Sequence, residues 1–85
     1  MKNISIGQNE IIHFIGIGGI GMSGLAQVMK NMGFKIQGSD LSKNKNTINC
    51  TKAGIKVFIG HSRDNVKNST ILVRSSAIKE NNSEV

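Results

Sequence analysis

Six residues near the start of the chain, Gly16-Ile17-Gly18-Gly19-Ile20-Gly21, constrain its fold more than any other segment. They follow a mostly apolar run, Ile11 to Ile15, which predicts a strand buried on both faces of a parallel sheet. They precede apolar residues at helical spacing, which predict a helix from Ile20 that ends near Met32. A Gly-x-Gly-x-x-Gly cluster placed between a strand and a helix is typical of the phosphate-binding turn of an α/β fold.

Each glycine of the motif has a predicted mechanical role. Gly16 permits the tight turn out of the strand, Gly18 lets a phosphate approach the backbone, and Gly21 lets helix and strand pack closely. The unpaired N–H groups at the start of the helix, together with the positive end of its dipole, would then bind a pyrophosphate. The alternative is a glycine-rich turn that serves close packing alone.

The rest of the chain alternates short strands and helices. After the first strand and helix we predict a strand over 34–37, a helix over 47–53, strands over 56–59 and 70–73, and a loop with one helical turn over 60–68. Gly38-Ser39-Asp40 is predicted to turn the chain after the second strand. This order predicts right-handed parallel crossovers and therefore a Rossmann-like, doubly wound α/β sheet of about four strands.

The length of 85 residues corresponds to one small domain or to a piece of a larger one. We predict a flexible arm over 1–10, the Rossmann-like domain over 11–78, and a tail over 79–85 that opens a helix without completing it. That uncompleted helix leads us to expect a truncated chain.

Composition excludes several classes of protein. The single cysteine, Cys50, excludes a disulfide scaffold, and no adjacent histidine marks it as a nucleophile. No apolar run approaches the roughly 20 residues of a membrane span, and no signal peptide opens the chain, so we expect a cytoplasmic protein without a membrane partner. The net charge of +6 comes from scattered lysines without interleaved aromatic residues, so we expect no nucleic-acid partner.

Asp40 stands 19 residues after Gly21, at the end of the predicted second strand. Dinucleotide-binding folds often place a carboxylate there to accept hydrogen bonds from ribose hydroxyls. The alternative is a turn aspartate that caps its own backbone.

Four separated motifs together resemble one family. They are the segment from His13 to Ala26, Gly38-Ser39-Asp40, Gly60-His61 and Ser75-Ser76-Ala77-Ile78. In order and approximate spacing they resemble the N-terminal domain of the Mur ligases of peptidoglycan biosynthesis. Within the family they are most similar to the branch that adds L-alanine, with the tripeptide-recycling branch second.

The resemblance implies a domain that binds the UDP portion of UDP-N-acetylmuramate. For a whole enzyme it implies that ATP phosphorylates the muramoyl carboxylate and that the amine of L-alanine attacks the acyl phosphate. It also implies roles for individual residues: the backbone around the glycine motif would cradle the diphosphate, two side chains would approach the uridine, and a final group would close the pocket. The backbone cradle would comprise Gly16, Gly18, Gly19, Ile20, Gly21 and Met22. Asp40 and His61 would approach the uridine, and Ser75, Ser76 and Ala77 would close the pocket.

The sequence also departs from what a complete ligase requires. It contains no Gly-x-x-x-x-Gly-Lys-[Ser/Thr] loop to hold ATP phosphates. We therefore expect no catalytic residue, metal site or bound cofactor in these 85 residues, and ATP and Mg²⁺ are implied only for a full-length enzyme. The polypeptide alone is expected to lack ligase activity.

Several alternatives stay open from sequence. A glycine loop followed by an acidic residue also occurs in the NAD(P)-binding domain of a dehydrogenase and in ligand-sensing regulatory modules, and a purely structural module would bind no nucleotide. His61 could be a solvated or capping residue. His13 is expected to be packed or hydrogen-bonded within its strand. Arg74 would point at a phosphate or at solvent. An open edge strand would be able to pair with a second copy of the chain, and the sequence does not set the oligomeric state.

Overall fold

The computed structural model describes residues 10–75, 78 and 81–85. In chain order the elements are β1 (Ile11–Ile15), α1 (Met22–Asn31), β2 (Lys35–Asp40), α2 (Lys45–Lys52), β3 (Lys56–Ile59), α3 (Arg63–Val66) and β4 (Ile71–Arg74). The four strands of this part of the chain form one parallel sheet in the order β3-β2-β1-β4. The predicted Rossmann-like α/β fold with about four parallel strands is confirmed.

Helices cover both faces of the sheet. On one face, Phe14 of β1 packs in an apolar core with Ala26 of α1 and Cys50 of α2. On the other face, the side chain of Gln37 in β2 donates a hydrogen bond to the carbonyl of Asn65 in α3 at 2.8 Å. This arrangement follows from right-handed crossovers: the chain moves outward from β1 to β3 and then returns past β1 to β4, which changes the face it covers.

Local sequence sets where the two longer helices begin. Gly21 precedes α1 with a φ of 83°, a left-handed conformation that glycine adopts without strain. Asn44 caps α2 by accepting from the Thr47 N–H at 2.9 Å, while Thr47 Oγ1 accepts from the Asn44 N–H at 2.8 Å. None of the helices in the described ranges is both long and apolar enough to cross a membrane.

The predicted bounds of β1 and β3 match the observed strands, whereas those of the helices shift. α1 begins at Met22 instead of Ile20, because the left-handed Gly21 interrupts helical geometry before it. α2 spans Lys45–Lys52 instead of 47–53, because the cap at Asn44 starts the helix earlier.

The prediction that Gly38-Ser39-Asp40 forms a turn is wrong. These residues extend β2, and they pair in parallel with β1 through Phe14↔Gly38 and Ile15↔Ser39 and with β3 through Asp40↔Ile59. Turn-forming residue types are overridden here because a strand on each side satisfies the backbone hydrogen bonds. β4 is likewise displaced by one residue, to Ile71–Arg74.

Candidate functional site

The motifs singled out in the sequence meet at one edge of the sheet. The glycine motif follows β1, Asp40 is the last residue of β2, His61 lies two residues after β3, and Ser75 comes directly after β4. The carboxyl ends of parallel strands share an edge, and the strand order reverses at β1, where open α/β sheets bind their ligands. Ser76 and Ala77 lie outside the described residues.

Backbone hydrogen bonds fix the glycine loop against the end of β2. The N–H groups of Gly16 and Ile17 both donate to the Ser39 carbonyl, at 2.8 and 2.9 Å. Within the loop, the Gly19 N–H donates to the Gly16 carbonyl at 3.0 Å, and the Met22 N–H donates to the Gly19 carbonyl at 3.1 Å. Most of the loop is therefore held by the protein's own hydrogen bonds.

Two adjacent N–H groups of this loop stay available. Those of Ile20 and Gly21 have no hydrogen-bond partner among the described residues. The Ile20 side chain is 100% exposed, and a Cβ at Gly21 would meet no atom within 4 Å. Neighbouring free N–H groups at the positive end of a helix are suited to an anion.

Gly18 has a packing role in the structure, and its predicted role beside a phosphate stays a prediction. Its N–H donates to Asp40 Oδ2 at 2.8 Å. A Cβ at this position would lie 2.7 Å from that oxygen, 2.8 Å from Asn44 Nδ2 and 2.8 Å from Thr47 Cγ2. The missing side chain therefore makes room for β2 and α2, whereas the open space predicted at Gly18 occurs at Gly21.

Asp40 binds the backbone through both carboxylate oxygens. Oδ2 accepts from Gly18, and Oδ1 accepts from the N–H of Leu41 at 2.8 Å. This is close to the alternative of an aspartate that caps its own backbone. Because each carboxylate oxygen can accept a second hydrogen bond, contact with a ribose hydroxyl stays a prediction.

A buried polar cluster occupies the face of the sheet that α3 covers. We call it the His13–Glu84 cluster, and its members are His13, Gln37, Ser39, His61, Asn65 and Glu84. At its centre Glu84 is only 1% exposed. Its Oε1 accepts from His13 Nε2 at 3.0 Å and from the Ser39 hydroxyl at 2.5 Å. Its Oε2 accepts from the Ser62 N–H at 3.0 Å and from Asn65 Nδ2.

These hydrogen bonds keep Glu84 ionised. Burial alone would raise the pKa of the Glu84 carboxyl, but the donors from Ser39, Asn65, the Ser62 N–H and His13 outweigh burial and lower the pKa to about 2. The cluster therefore holds one buried negative charge that is surrounded by donors.

His13 is buried and hydrogen-bonded within β1, as expected from its place in a strand. Gln37 Nε2 donates to His13 Nδ1 at 2.8 Å and to the Asn65 carbonyl at 2.8 Å, and that carbonyl identifies Nε2 as the donor. Burial lowers the pKa of His13, against the opposing effect of Glu84. His13 is thus a neutral imidazole that accepts at Nδ1 and donates from Nε2 to Glu84.

His61 joins the same cluster from the loop after β3. Its Nδ1 lies 3.1 Å from Ser39 Oγ and 3.2 Å from Glu84 Oε1, and its side chain is 10% exposed. His61 is therefore fixed by the cluster and is not a freely solvated loop residue.

Sequence reasoning missed Glu84 and gave Ser39 no role. Glu84 falls in the stretch predicted as a polar tail, and its contact with His13 spans 71 residues, so no local pattern indicates it. For Ser39 a signal existed in the Gly-Ser-Asp motif, but the motif was interpreted as a turn.

The part of the chain that the structure describes forms no metal-binding cluster. Within it, no group of three or more His, Cys, Asp or Glu side chains is arranged to hold a metal ion. The sequence also lacks a Gly-x-x-x-x-Gly-Lys-[Ser/Thr] loop. These residues therefore do not fit ATP with Mg²⁺.

Comparisons with known proteins agree with one another. A family model described as "Mur ligase family, catalytic domain" matches residues 11–85. The UDP-N-acetylmuramate--L-alanine ligase of Rickettsia bellii is 57% identical over 76 residues, and that of Pelagibacter ubique is 56% identical over 82 residues. These matches cover 89% and 96% of this chain but only 16% and 18% of the two relatives.

Two solved structures share the fold. The UDP-N-acetylmuramate-alanine ligase of Thermotoga maritima superposes with a TM-score of 0.81 at 37% identity, covering 86% of this chain and 17% of that one. The UDP-N-acetylmuramate:L-alanyl-gamma-D-glutamyl-meso-diaminopimelate ligase from Neisseria meningitides superposes with a TM-score of 0.80 at 28% identity, covering 88% and 24%. With the family model matching most of the chain, these findings show that the chain belongs to the Mur ligase family.

Proposed function

We propose that this chain is the N-terminal, UDP-N-acetylmuramate-binding domain of a cytoplasmic ligase that adds L-alanine to UDP-N-acetylmuramate in peptidoglycan biosynthesis. The observation that carries the proposal is the 57% identity, over 89% of the chain, to a relative named for that reaction. The lower identity of 28% to the tripeptide-adding member favours the L-alanine branch within the family.

The carboxyl edge of the sheet supports a specific mode of binding. The free N–H groups of Ile20 and Gly21 would hold the diphosphate, because they lie at the positive end of α1 and have no partner among the described residues. Asp40 ends β2, His61 follows the neighbouring strand β3, and both would face the uridine. Ser75, Ser76 and Ala77 after β4 would close the pocket on the other side.

The chemical step would belong to the remainder of a longer enzyme. The chain spans about one sixth of the length of the curated relatives it matches. In the proposed reaction ATP transfers its γ-phosphoryl group to the muramoyl carboxylate, and the amine of L-alanine then displaces phosphate to form the amide. We propose that the 85-residue polypeptide by itself does not catalyse this reaction. L-alanine-dependent ATP hydrolysis by the purified polypeptide would contradict that statement.

Calorimetric titration of the chain with UDP-N-acetylmuramate, UDP and NAD tests the binding function. We expect binding of the two uridine nucleotides and weaker binding of NAD. A preference for NAD of tenfold or more, about 1.4 kcal/mol, would instead indicate the NAD(P)-binding domain of a dehydrogenase. Absence of heat with all three ligands, in a chain shown to be folded by circular dichroism, would indicate a purely structural module.

A further inference from the structure

We propose that Glu84 is a positioning residue for the nucleotide site: it holds His61 with its proton on Nδ1, so that Nε2 is free to accept a hydrogen bond from the bound uridine nucleotide. The ligand part of this inference rests on the proposed function. The tautomer part rests on the His13–Glu84 cluster alone.

The direction of one hydroxyl determines the tautomer. Ser39 has a single hydroxyl hydrogen, and it donates that hydrogen to Glu84 Oε1. Ser39 Oγ is also 3.1 Å from His61 Nδ1, and with its hydrogen committed it can only accept there. Glu84 Oε1 itself lies 3.2 Å from the same nitrogen. Both neighbours of Nδ1 are therefore acceptors, which places the proton on Nδ1.

The carboxylate cannot turn away from this arrangement without losing other bonds. Its second oxygen accepts from the N–H of Ser62, the residue that follows His61. It also accepts from Asn65 Nδ2, which donates to the carbonyl of Gly60, the residue that precedes His61. Glu84 thus fixes the backbone on both sides of His61 as well as the ring itself.

The opposite nitrogen of His61 faces outward. Nε2 has no hydrogen-bond partner among the described residues, and none of their buried side-chain nitrogen or oxygen atoms lacks a partner. Nε2 therefore reaches solvent, although the side chain is only 10% exposed. His13 differs, because both of its ring nitrogens are bonded inside the cluster.

An outward-facing Nε2 without a proton is an acceptor held in a fixed direction. Uridine offers suitable donors in its ribose hydroxyls and in the single N–H of the uracil ring. Without Glu84, the Ser39 hydroxyl would be free to donate to Nδ1, which would place the proton on Nε2 and turn the acceptor into a donor.

Imidazole ¹⁵N spectra test this directly, since the chain has only two histidines. We expect opposite tautomers in the free chain: His13 protonated on Nε2 and His61 protonated on Nδ1. On addition of UDP, the Nε2 resonance of His61 should move while Nδ1 keeps its proton. A His61 protonated on Nε2 in the free chain would overturn the proposal, as would UDP binding that leaves Nε2 unmoved.

Glu84→Gln tests the same proposal by mutation. In either orientation, the amide of the glutamine would place its N–H₂ group next to groups that already donate hydrogen bonds. We expect a mixture of His61 tautomers and UDP affinity about tenfold weaker, the effect of losing one ligand hydrogen bond. Glu10→Gln, which removes the same charge outside the cluster, should leave both unchanged. A folded Glu84→Gln chain with wild-type tautomer and affinity would overturn the proposal, and if this variant does not fold, the wild-type spectra decide.

The same experiment separates the two proposals. If UDP does not bind the wild-type chain, the proposed function fails, whereas the free-state tautomers still decide whether Glu84 positions His61.

Discussion

Gly18 shows at the residue scale how a motif glycine can serve the packing of neighbouring elements. Its N–H is bonded to Asp40, and its Cα hydrogen faces Asn44 and Thr47. The available N–H groups belong to Ile20 and Gly21, two and three residues later. The Gly-x-Gly-x-x-Gly pattern therefore located the loop correctly but not the positions within it that are open.

Gly18→Ala should destabilise the fold. The added Cβ would lie within 2.8 Å of side-chain atoms of Asp40, Asn44 and Thr47, so these side chains must move and the hydrogen bonds of Asp40 and Asn44 are disturbed, at a cost of about 1–3 kcal/mol. Urea unfolding measures this free energy. Gly24→Ala is the matched control: it lies inside α1 where a Cβ meets nothing within 4 Å, and it should stabilise by about 0.5–1 kcal/mol. Equal stability of the two variants would contradict this account of Gly18.

At the scale of the elements, α2 depends on its first turn. Asn44 and Thr47 form a reciprocal capping box, and the helix is otherwise rich in polar residues with low helix propensity. Its position matters to the site because Asn46 in α2 also donates to the Gly18 carbonyl at 3.0 Å.

Replacing Asn44 by alanine should lower the free energy of unfolding by about 1 kcal/mol, since the Thr47 N–H loses its acceptor. Asn49→Ala, at an exposed position inside the same helix, should be neutral or slightly stabilising because alanine is the better helix former. The comparison can be made by thermal or urea unfolding. If both variants unfold alike, the capping box contributes nothing to the stability of α2.

Sequence patterns predicted the secondary-structure elements better than they predicted which residues contact one another. The apolar run of β1 and the glycines on either side of β3, Gly54 and Gly60, predict both strands with the observed bounds, because these signals are local. β2 was predicted too short because Gly38, Ser39 and Asp40 favour turns in isolation, and only the strands on both sides keep them extended. Pairing of this kind is a property of the sheet and is not visible in a short window of sequence.

At the scale of the whole molecule, one acidic side chain joins distant parts of the chain. Glu84 contacts residues of β1, β2, the loop after β3 and α3. This contact could not be predicted, because a polar stretch near residue 84 gives no periodic signal and a buried carboxylate is recognisable only from the donors around it.

Stability should fall as the solution is acidified. The folded pKa of Glu84, about 2, lies below its ordinary value of 4.5, so its contribution is present above pH 4.5 and is lost as pH falls toward 2. The lowered pKa of buried His13 acts in the same direction from about pH 6.5 downward, because the unfolded imidazole takes up a proton more readily. Glu84 alone accounts for roughly 3 kcal/mol, at about 1.4 kcal/mol per pKa unit.

Urea unfolding at a series of pH values from 7 to 2.5 measures this loss. Glu84→Gln should be less stable at pH 7 and should lose less stability on acidification, whereas Glu10→Gln should follow the wild-type curve. An unchanged slope in Glu84→Gln would show that the carboxylate of Glu84 is not the group responsible.

We propose that the carboxyl edge of the sheet binds a uridine diphosphate through the start of α1. Amide ¹H–¹⁵N spectra recorded during titration with UDP test it most directly. We expect the N–H resonances of Ile20 and Gly21 to move most and that of Gly18 to move little, because the Gly18 N–H stays bonded to Asp40. Saturating UDP that leaves Ile20 and Gly21 unmoved, or NAD that moves them where UDP does not, would contradict it.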